Sequence, residues 1–433
     1  MNEHDLLIRD ALLVSCVPGE ASRFGWLAVT GKRIAAMGDG APPAGLRATR
    51  VIDAAGMALL PGLVNTHAHS HGSLTRGTAE GMSLEPWLAD IQRELAVISD
   101  EEAEAAALAC YAEALLSGTT TIVDMCVKTR AARRAADAIG IRQVLVPFTG
   151  DRLSSGEDFA YAADLVEEFA SRHDRLAVWV GLHDLETCSD GLIEQGVALA
   201  AKHGTGLHMH CSETSGWSER TRTRTGRSPV EQLAALGALG PRTLLAHCVW
   251  TDAADIATLA RSGTSVAHCP QSNLKLASGI APVPLQRAAG LRVGLGSDGV
   301  KSSHSYDLFD AMKFTSLLHK VTSRDATVLP APEVLGMAAR DGASAAGVDA
   351  GVLAPGRLAD LVLVDMRRFH LQPCLPGIAE SNLVHAARGA DVHTVMVDGR
   401  VLVEAGRLTA MDQDALLARQ REASRSLLAR ANP

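Results

Sequence analysis

Aromatic residues are scarce, at 3% of the chain, so any aromatic that lands beside a site is notable. Excess positive charge is missing as well. Lysine and arginine number 41 against 49 acidic residues, a net charge of -8, which excludes the basic face that nucleic acid requires. No apolar run approaches the roughly 20 residues of a membrane span. The opening Met1-Asn2-Glu3-His4-Asp5 lacks the basic region of a signal peptide. The eight cysteines are scattered and form no Cys-x-x-Cys pair, which suits reduced thiols. These features together predict a cytoplasmic protein with neither a nucleic-acid nor a membrane partner. What is present is a large apolar fraction, 47%, against 21% charged, enough for a sizeable core.

Both ends of the chain read as short strands punctuated by glycine and proline. Leu6–Ile8, Trp26–Val29 and Arg33–Met37 lie at the start; Ala359–Val364 and His393–Val397 lie at the end, the last followed by the hairpin turn Asp398-Gly399. Between them, strand-like runs at 58–66, 119–125, 141–148, 176–183, 204–210, 242–248, 264–269 and 291–298 alternate with helix-like segments. These segments include Glu101–Ser117, Thr129–Gly140, Phe159–His173, Leu192–His203, Pro229–Leu239, Asp252–Ser262 and Asp307–Lys320. Eight strands alternating with helices predict an α/β fold, a (β/α)8 TIM-like barrel. An open doubly wound sheet is the alternative, but no Gly-rich phosphate loop follows the first strand. The expected division is 1–56 and 351–433 as a composite β-sandwich with a terminal helix, enclosing a catalytic barrel at 57–350.

In such a barrel the chemistry sits at the C-terminal ends of the strands. His67 and His69 end the first run, and residues i and i+2 of a strand share a face. His183 ends the fourth run, His208-Met209-His210 the fifth, with Cys211-Ser212-Glu213 following. His247 ends the sixth, His268 lies near the end of the seventh, and Asp298 ends the eighth. Each alone reads as a core histidine or a turn aspartate. Burying all of them at one rim demands partners for every polar group, and a divalent metal supplies one.

The chain resembles the amidohydrolase superfamily, in the aminohydrolase and chlorohydrolase branch that includes adenosylhomocysteine/methylthioadenosine deaminases, guanine-type deaminases and triazine hydrolases. The matching stretches are Pro61-Gly62-Leu63-Val64-Asn65-Thr66-His67-Ala68-His69, Ser117-Gly118-Thr119-Thr120-Thr121, His210-Cys211-Ser212-Glu213-Thr214, Ala246-His247-Cys248-Val249, His268-Cys269-Pro270-Gln271-Ser272-Asn273 and Gly294-Leu295-Gly296-Ser297-Asp298-Gly299. The resemblance implies that His67, His69, His210 and Asp298 bind one divalent metal, zinc before iron, since three imidazoles and a carboxylate suit a hydrolytic zinc site and also tolerate iron. The carboxylated lysine of binuclear relatives has no counterpart, because residues 176–189 contain no lysine. Asp298 is then a proton acceptor, Glu213 a proton donor to a ring nitrogen, and His247 the group that orients the attacking oxygen.

The implied reaction is hydrolytic deamination of an amino-substituted N-heterocycle (purine, pterin, pyrimidine or triazine) with release of ammonia. Loss of chloride or another substituent, cyclic amide hydrolysis, and a non-catalytic scaffold are the alternatives. Expected substrate contacts are His183, Trp217, Trp250, Lys301 and His304, the last three on rim loops that depart from the family pattern. A tryptophan face can stack a flat ring. The ribose-gripping glutamate of adenosine-type deaminases falls at Glu94 only with a shift, which argues against a nucleoside. Arg76 and Trp87 are expected to fix the loop after the first strand, His268 to play a structural role, and Cys211, Cys248 and Cys269 to pack. The small-molecule substrate is the expected partner, with a homo-oligomer as the family's common assembly.

Overall fold

The computed structural model describes residues 3–169 and 175–431. Strands from the middle of the chain form two parallel sheets. One comprises Leu63–Ala68, Thr119–Cys126, Arg142–Pro147 and Leu176–Val178; the other comprises Val180–Gly181, Leu207–Cys211, Thr243–His247, Ser265–His268 and Val293–Leu295. Only Trp179 separates the two sheets along the chain, and its N–H donates to Leu145 O at 2.9 Å while Val180 N–H donates to Gly206 O at 2.9 Å. At the opposite edges Ala68 bridges Asp298 in parallel, and Asp298 N–H donates to His67 O at 2.9 Å. Nearly every side chain of these strands is buried, as expected where helices cover parallel strands.

The two chain ends share a third, nine-stranded sheet. In it Leu361–Asp365 lies between Val392–Val397 and Met57–Pro61, and Met57–Pro61 in turn pairs with Glu3–Leu13. The run expected as one strand at 58–66 is therefore two strands in two sheets, broken at Gly62. Glycine is required there because a Cβ would sit 2.0 Å from Thr120 Oγ1. The Asp398-Gly399 turn joins Val392–Val397 to Arg400–Glu404, and both turn residues have positive φ (51° and 72°), as a type I′ hairpin demands. Arg142, buried at the N-terminal end of its parallel strand, donates to both oxygens of Asp360 at 2.8 and 3.1 Å and ties this sheet to the parallel strands.

Helices start and stop where local chemistry dictates. Ser99/Glu102, Ser228/Glu231 and Asp252/Asp255 form capping boxes before Asp100–Leu116, Pro229–Ala235 and Ala253–Ser262. Gly140, Gly204, Gly226 and Gly263 end helices in the left-handed conformation. The helix expected to reach His173 runs Phe159–Phe169, and its expected end lies outside the described residues. Helix Leu84–Val97 follows the first parallel strand, and the terminal helix Gln413–Ala431 packs on Asp100–Leu116. No described helix is long and apolar enough to cross a membrane.

Candidate metal centre and active site

Three backbone carbonyls, one imidazole and one amide oxygen set the chemistry of this site. His69 Nδ1 lies 2.6 Å from Met125 O, His210 Nδ1 2.7 Å from His183 O, and His208 Nδ1 2.8 Å from Leu244 O. Each of these nitrogens therefore carries the proton, and each Nε2 keeps its lone pair. His208 Nε2 then accepts from His67 Nδ1 at 2.8 Å, which leaves the lone pair of His67 on Nε2. His247 Nδ1 donates to Asn273 Oδ1 at 2.9 Å, with the same result. Four buried imidazoles thus aim Nε2 lone pairs inward.

Asp298 completes the cluster. Its Oδ1 lies 3.4 Å from His67 Nε2 and 3.3 Å from His69 Nε2. Ser272 and Ser302 donate to Oδ2 at 2.5 and 2.9 Å, and Gly299 N–H donates to Oδ1 at 2.8 Å. The φ of Asp298 is +60° and that of His247 is +71°, a left-handed conformation that non-glycine residues hold where the surroundings enforce it.

A cation fits this donor set on two observations. His69 Nε2 and His210 Nε2 face each other at 3.2 Å with both lone pairs directed inward, an arrangement that repels unless a positive centre lies between them. His67 Nε2 is buried and, among the described residues, has no hydrogen-bond partner. His67, His69 and Asp298 offer ligand atoms within 4.8 Å of one another, as do His67, His210 and His247.

Electrostatics agree with neutral ligands. Burial pushes the His67 imidazole down to about 3, and lowers His69, His208 and His210. Burial alone would raise the Asp298 carboxyl, but the neighbouring His67, His69 and His247 imidazoles hold it well below the usual carboxylate range. Glu213 is the opposite case. Burial raises its carboxyl against the opposing pull of His247, whose Nε2 stands 3.8 Å from Oε2, while Ser278 Oγ donates to Oε1 at 3.2 Å. A carboxyl raised by burial beside one held low suits a division of acid and base roles.

A small cavity of about 30 Å³ lies over the cluster. His183 and Trp217 line it, together with His69, His210, Glu213, His247 and Asp298. His183 Nδ1 is held by Thr187 Oγ1 at 2.7 Å and Asp184 Oδ2 at 3.0 Å. Three residues expected at the substrate lie elsewhere. Trp250 is half exposed, donates its indole N–H to Ser278 O at 2.7 Å and does not line the cavity. His304 is exposed and pairs with Lys275 Nζ at 2.7 Å. Lys301, expected as a substrate contact on a rim loop, is fully buried with Nζ 2.6 Å from both Asp90 Oδ2 and Glu94 Oε1. A loop position in sequence gave no sign of these carboxylates 207 and 211 residues away.

Other lining residues escaped the sequence reading. His71, Leu84, Trp87, Leu88, Ile91, Phe148 and Leu276 face the cavity. His71 continues the alternation His67-x-His69-x-His71, a signal that was legible. Trp87, expected only to fix a loop, stands in the wall. His268 is buried outside the cluster, its ring 5.4 Å from His319. Cys211, Cys248 and Cys269 are buried, and burial raises the Cys269 thiol.

Comparison with known proteins agrees with this geometry. The amidohydrolase family model matches residues 58–402. A 5'-deoxyadenosine deaminase of Methanothermobacter thermautotrophicus is 40% identical over 84% of this chain and 86% of its own. A 5-methylthioadenosine/S-adenosylhomocysteine deaminase of Pelotomaculum thermopropionicum is 38% identical over 96% of both chains. Among solved structures, an adenosine deaminase from Xanthomonas campestris with bound zinc superposes with a TM-score of 0.93 at 29% identity, covering 99% of each chain. All three names are those of nucleoside deaminases, so the sequence argument against a nucleoside, drawn from the shifted Glu94, loses its force.

Proposed function

Since the chain belongs to the amidohydrolase family, we propose that it hydrolyses the exocyclic amino group of an adenine nucleoside and releases ammonia. The names of its relatives support this reading, and the converging Nε2 lone pairs of His67, His69 and His210 beside Asp298 carry it. Those four residues would hold one divalent metal, zinc by donor type. When bound, such an ion acidifies water toward neutrality and acts as a Lewis acid.

The chain's own residues do the rest. Asp298 Oδ2 is committed to Ser272 and Ser302, so Oδ1 is the oxygen that takes the proton lost by the attacking water. Glu213, its carboxyl raised by burial, gives a proton to the ring nitrogen beside the attacked carbon and makes that carbon electrophilic. His247, fixed by Asn273, orients the incoming oxygen. His183 and Trp217 bound the space for the ring. Collapse of the tetrahedral adduct, with a proton delivered to the amino group, expels ammonia and leaves the oxo-purine. The parallel strands, with Leu176–Val178 and Val180–Gly181 taken as one, closing as a (β/α)8 barrel, the ends stacking as a β-sandwich, and the division at 56/57 and 350/351 belong to the same reading, with Met57–Pro61 shared between the two parts.

The test is a panel of adenosine, 5'-deoxyadenosine, methylthioadenosine, guanine, aminopterins and a chlorotriazine, read by ammonia and chloride release. Ammonia from the adenine nucleosides at the highest kcat/KM is expected. Chloride release alone, or turnover confined to free bases or pterins, would overturn the reading.

A further inference from the structure

Helix Leu84–Val97 forms one wall of the cavity through Leu84, Trp87, Leu88 and Ile91. Its other contacts are polar as well as ionic: Gln92 Oε1 accepts from Ser155 N–H at 2.8 Å and from Ser154 Oγ at 3.0 Å. Asp90 and Glu94, one turn apart on the helix, both reach Lys301 Nζ at 2.6 Å. Thr75, just past the turn that follows His69, donates its hydroxyl to the second Glu94 oxygen at 2.9 Å. Lys301 itself sits in the short helix Val300–Ser303 that follows Asp298, and the neighbouring Ser302 holds Asp298 Oδ2. One buried cation therefore joins the wall of the cavity to the loop that carries a site residue.

The cavity beneath this wall measures about 30 Å³. Small-molecule sites span ~300–1,000 Å³. A flat heterocycle enters only if a wall moves, and the wall formed by this helix is the one held by side-chain charges rather than by strand pairing. Resting on the deaminase reading above, we propose that Lys301, Asp90 and Glu94 form a latch that sets how far helix Leu84–Val97 stands from the metal-ligating cluster. The three residues thereby act as positioning residues for substrate entry and for the size of group accepted at the wall.

The experiment compares the purified wild type with Glu94→Gln and Lys301→Met. Glu94→Gln keeps the shape and one accepting oxygen while removing the charge, and so remains informative if Lys301→Met fails to fold. Hydrogen exchange by mass spectrometry is read over residues 84–97 and over strand Thr119–Cys126, with metal content measured on the same samples. Both folded variants are expected to exchange about tenfold faster in the helix, on the scale of one charged hydrogen bond lost, with strand exchange and metal content unchanged. In steady state KM for the nucleosides is expected to shift more than kcat, with an altered preference between small and bulky 5'-substituents. Unchanged helix exchange in folded Glu94→Gln, or faster exchange spread equally over helix and strand, would overturn the latch. Faster helix exchange with unaltered KM and substituent preference would overturn its role in substrate admission. If wild type releases no ammonia from any nucleoside, the deaminase reading fails and the exchange measurement still decides whether the latch exists.

Discussion

The floor of the cavity and its wall are built by different means. In the floor, His69, His208 and His210 are each oriented by a hydrogen bond to a backbone carbonyl of their own or an adjoining strand. Strand pairing fixes those carbonyls, so the imidazoles inherit the rigidity of the parallel sheets. In the wall, helix Leu84–Val97 meets the strand-borne loops through side chains: apolar ones, Gln92 on Ser154 and Ser155, and the Lys301 ion network. Chemistry that depends on sub-ångström placement sits on the first kind of support, and whatever must open for a substrate sits on the second.

The largest break expected between the two regions comes from the floor. Asp298→Ala removes the carboxylate proposed as both ligand and proton acceptor, and leaves Ser272 and Ser302 without their shared acceptor. Metal content by elemental analysis should fall well below the wild-type value of about one ion per chain expected from one four-residue ligand set. Ammonia release should fall at least as far as for the loss of any general base, ~100- to 10,000-fold. Chelation should do the same to wild type and lower its Tm, because metal that binds only the folded state stabilises it. Two essential ions per chain, or normal turnover after stripping, would contradict a single-metal floor.

Glu213→Gln separates proton transfer from metal binding. The variant keeps a side chain that can still accept from Ser278 and leaves the His67, His69, His210 and Asp298 set intact. Metal content should stay at the wild-type value while kcat falls about 100-fold or more. A metal-loaded Glu213→Gln enzyme with near-normal kcat would remove Glu213 from the reaction.

His208→Ala probes how far the floor depends on its orienting hydrogen bonds. The substitution takes away the acceptor that sets the His67 tautomer and leaves every proposed ligand in place. Metal affinity, measured by competition with a chromophoric chelator, should weaken about 10–100-fold. An unchanged affinity would mean that packing alone holds His67.

The floor was legible in sequence and the wall was not, for a physical reason. His67, His69, His210, His247 and Asp298 stand at the ends of short apolar runs, and strand parity with parallel strand order brings such ends to one edge of the sheets. His208, two residues before His210, shares its parity, yet nothing local told ligand from orienting partner. That distinction rests on the carbonyl of Leu244, which strand register supplies. Helix Leu84–Val97 carries its apolar side chains on a helical period, but sequence spacing does not say what covers them. Lys301 is the sharpest case. A lysine in a loop is most often solvated, and only the folded chain brings Asp90 and Glu94 to it.

The smallest expected effect sharpens the comparison at the rim, between two tryptophans. Trp217 follows His210, is almost fully buried and lines the cavity; Trp250 follows His247, is 48% exposed and spends its N–H on Ser278 O. Similar distances from a strand end made the two equivalent in sequence. Their environments make them unequal, because only a ring that faces the cavity can stack on a substrate. Trp217→Ala should therefore cost ~1–3 kcal/mol of nucleoside binding, the range for a buried aromatic, with metal content unchanged. Trp250→Ala should stay within about 0.5 kcal/mol, as surface substitutions do. Ser278 also donates to Glu213, so any residual Trp250 effect should appear in kcat rather than KM. Measuring kcat and KM for both variants on one adenine nucleoside decides the matter. A larger KM penalty at Trp250 than at Trp217 would mean that the substrate lies outside the cavity over the cluster, across the loops that carry Trp250 and Gly279.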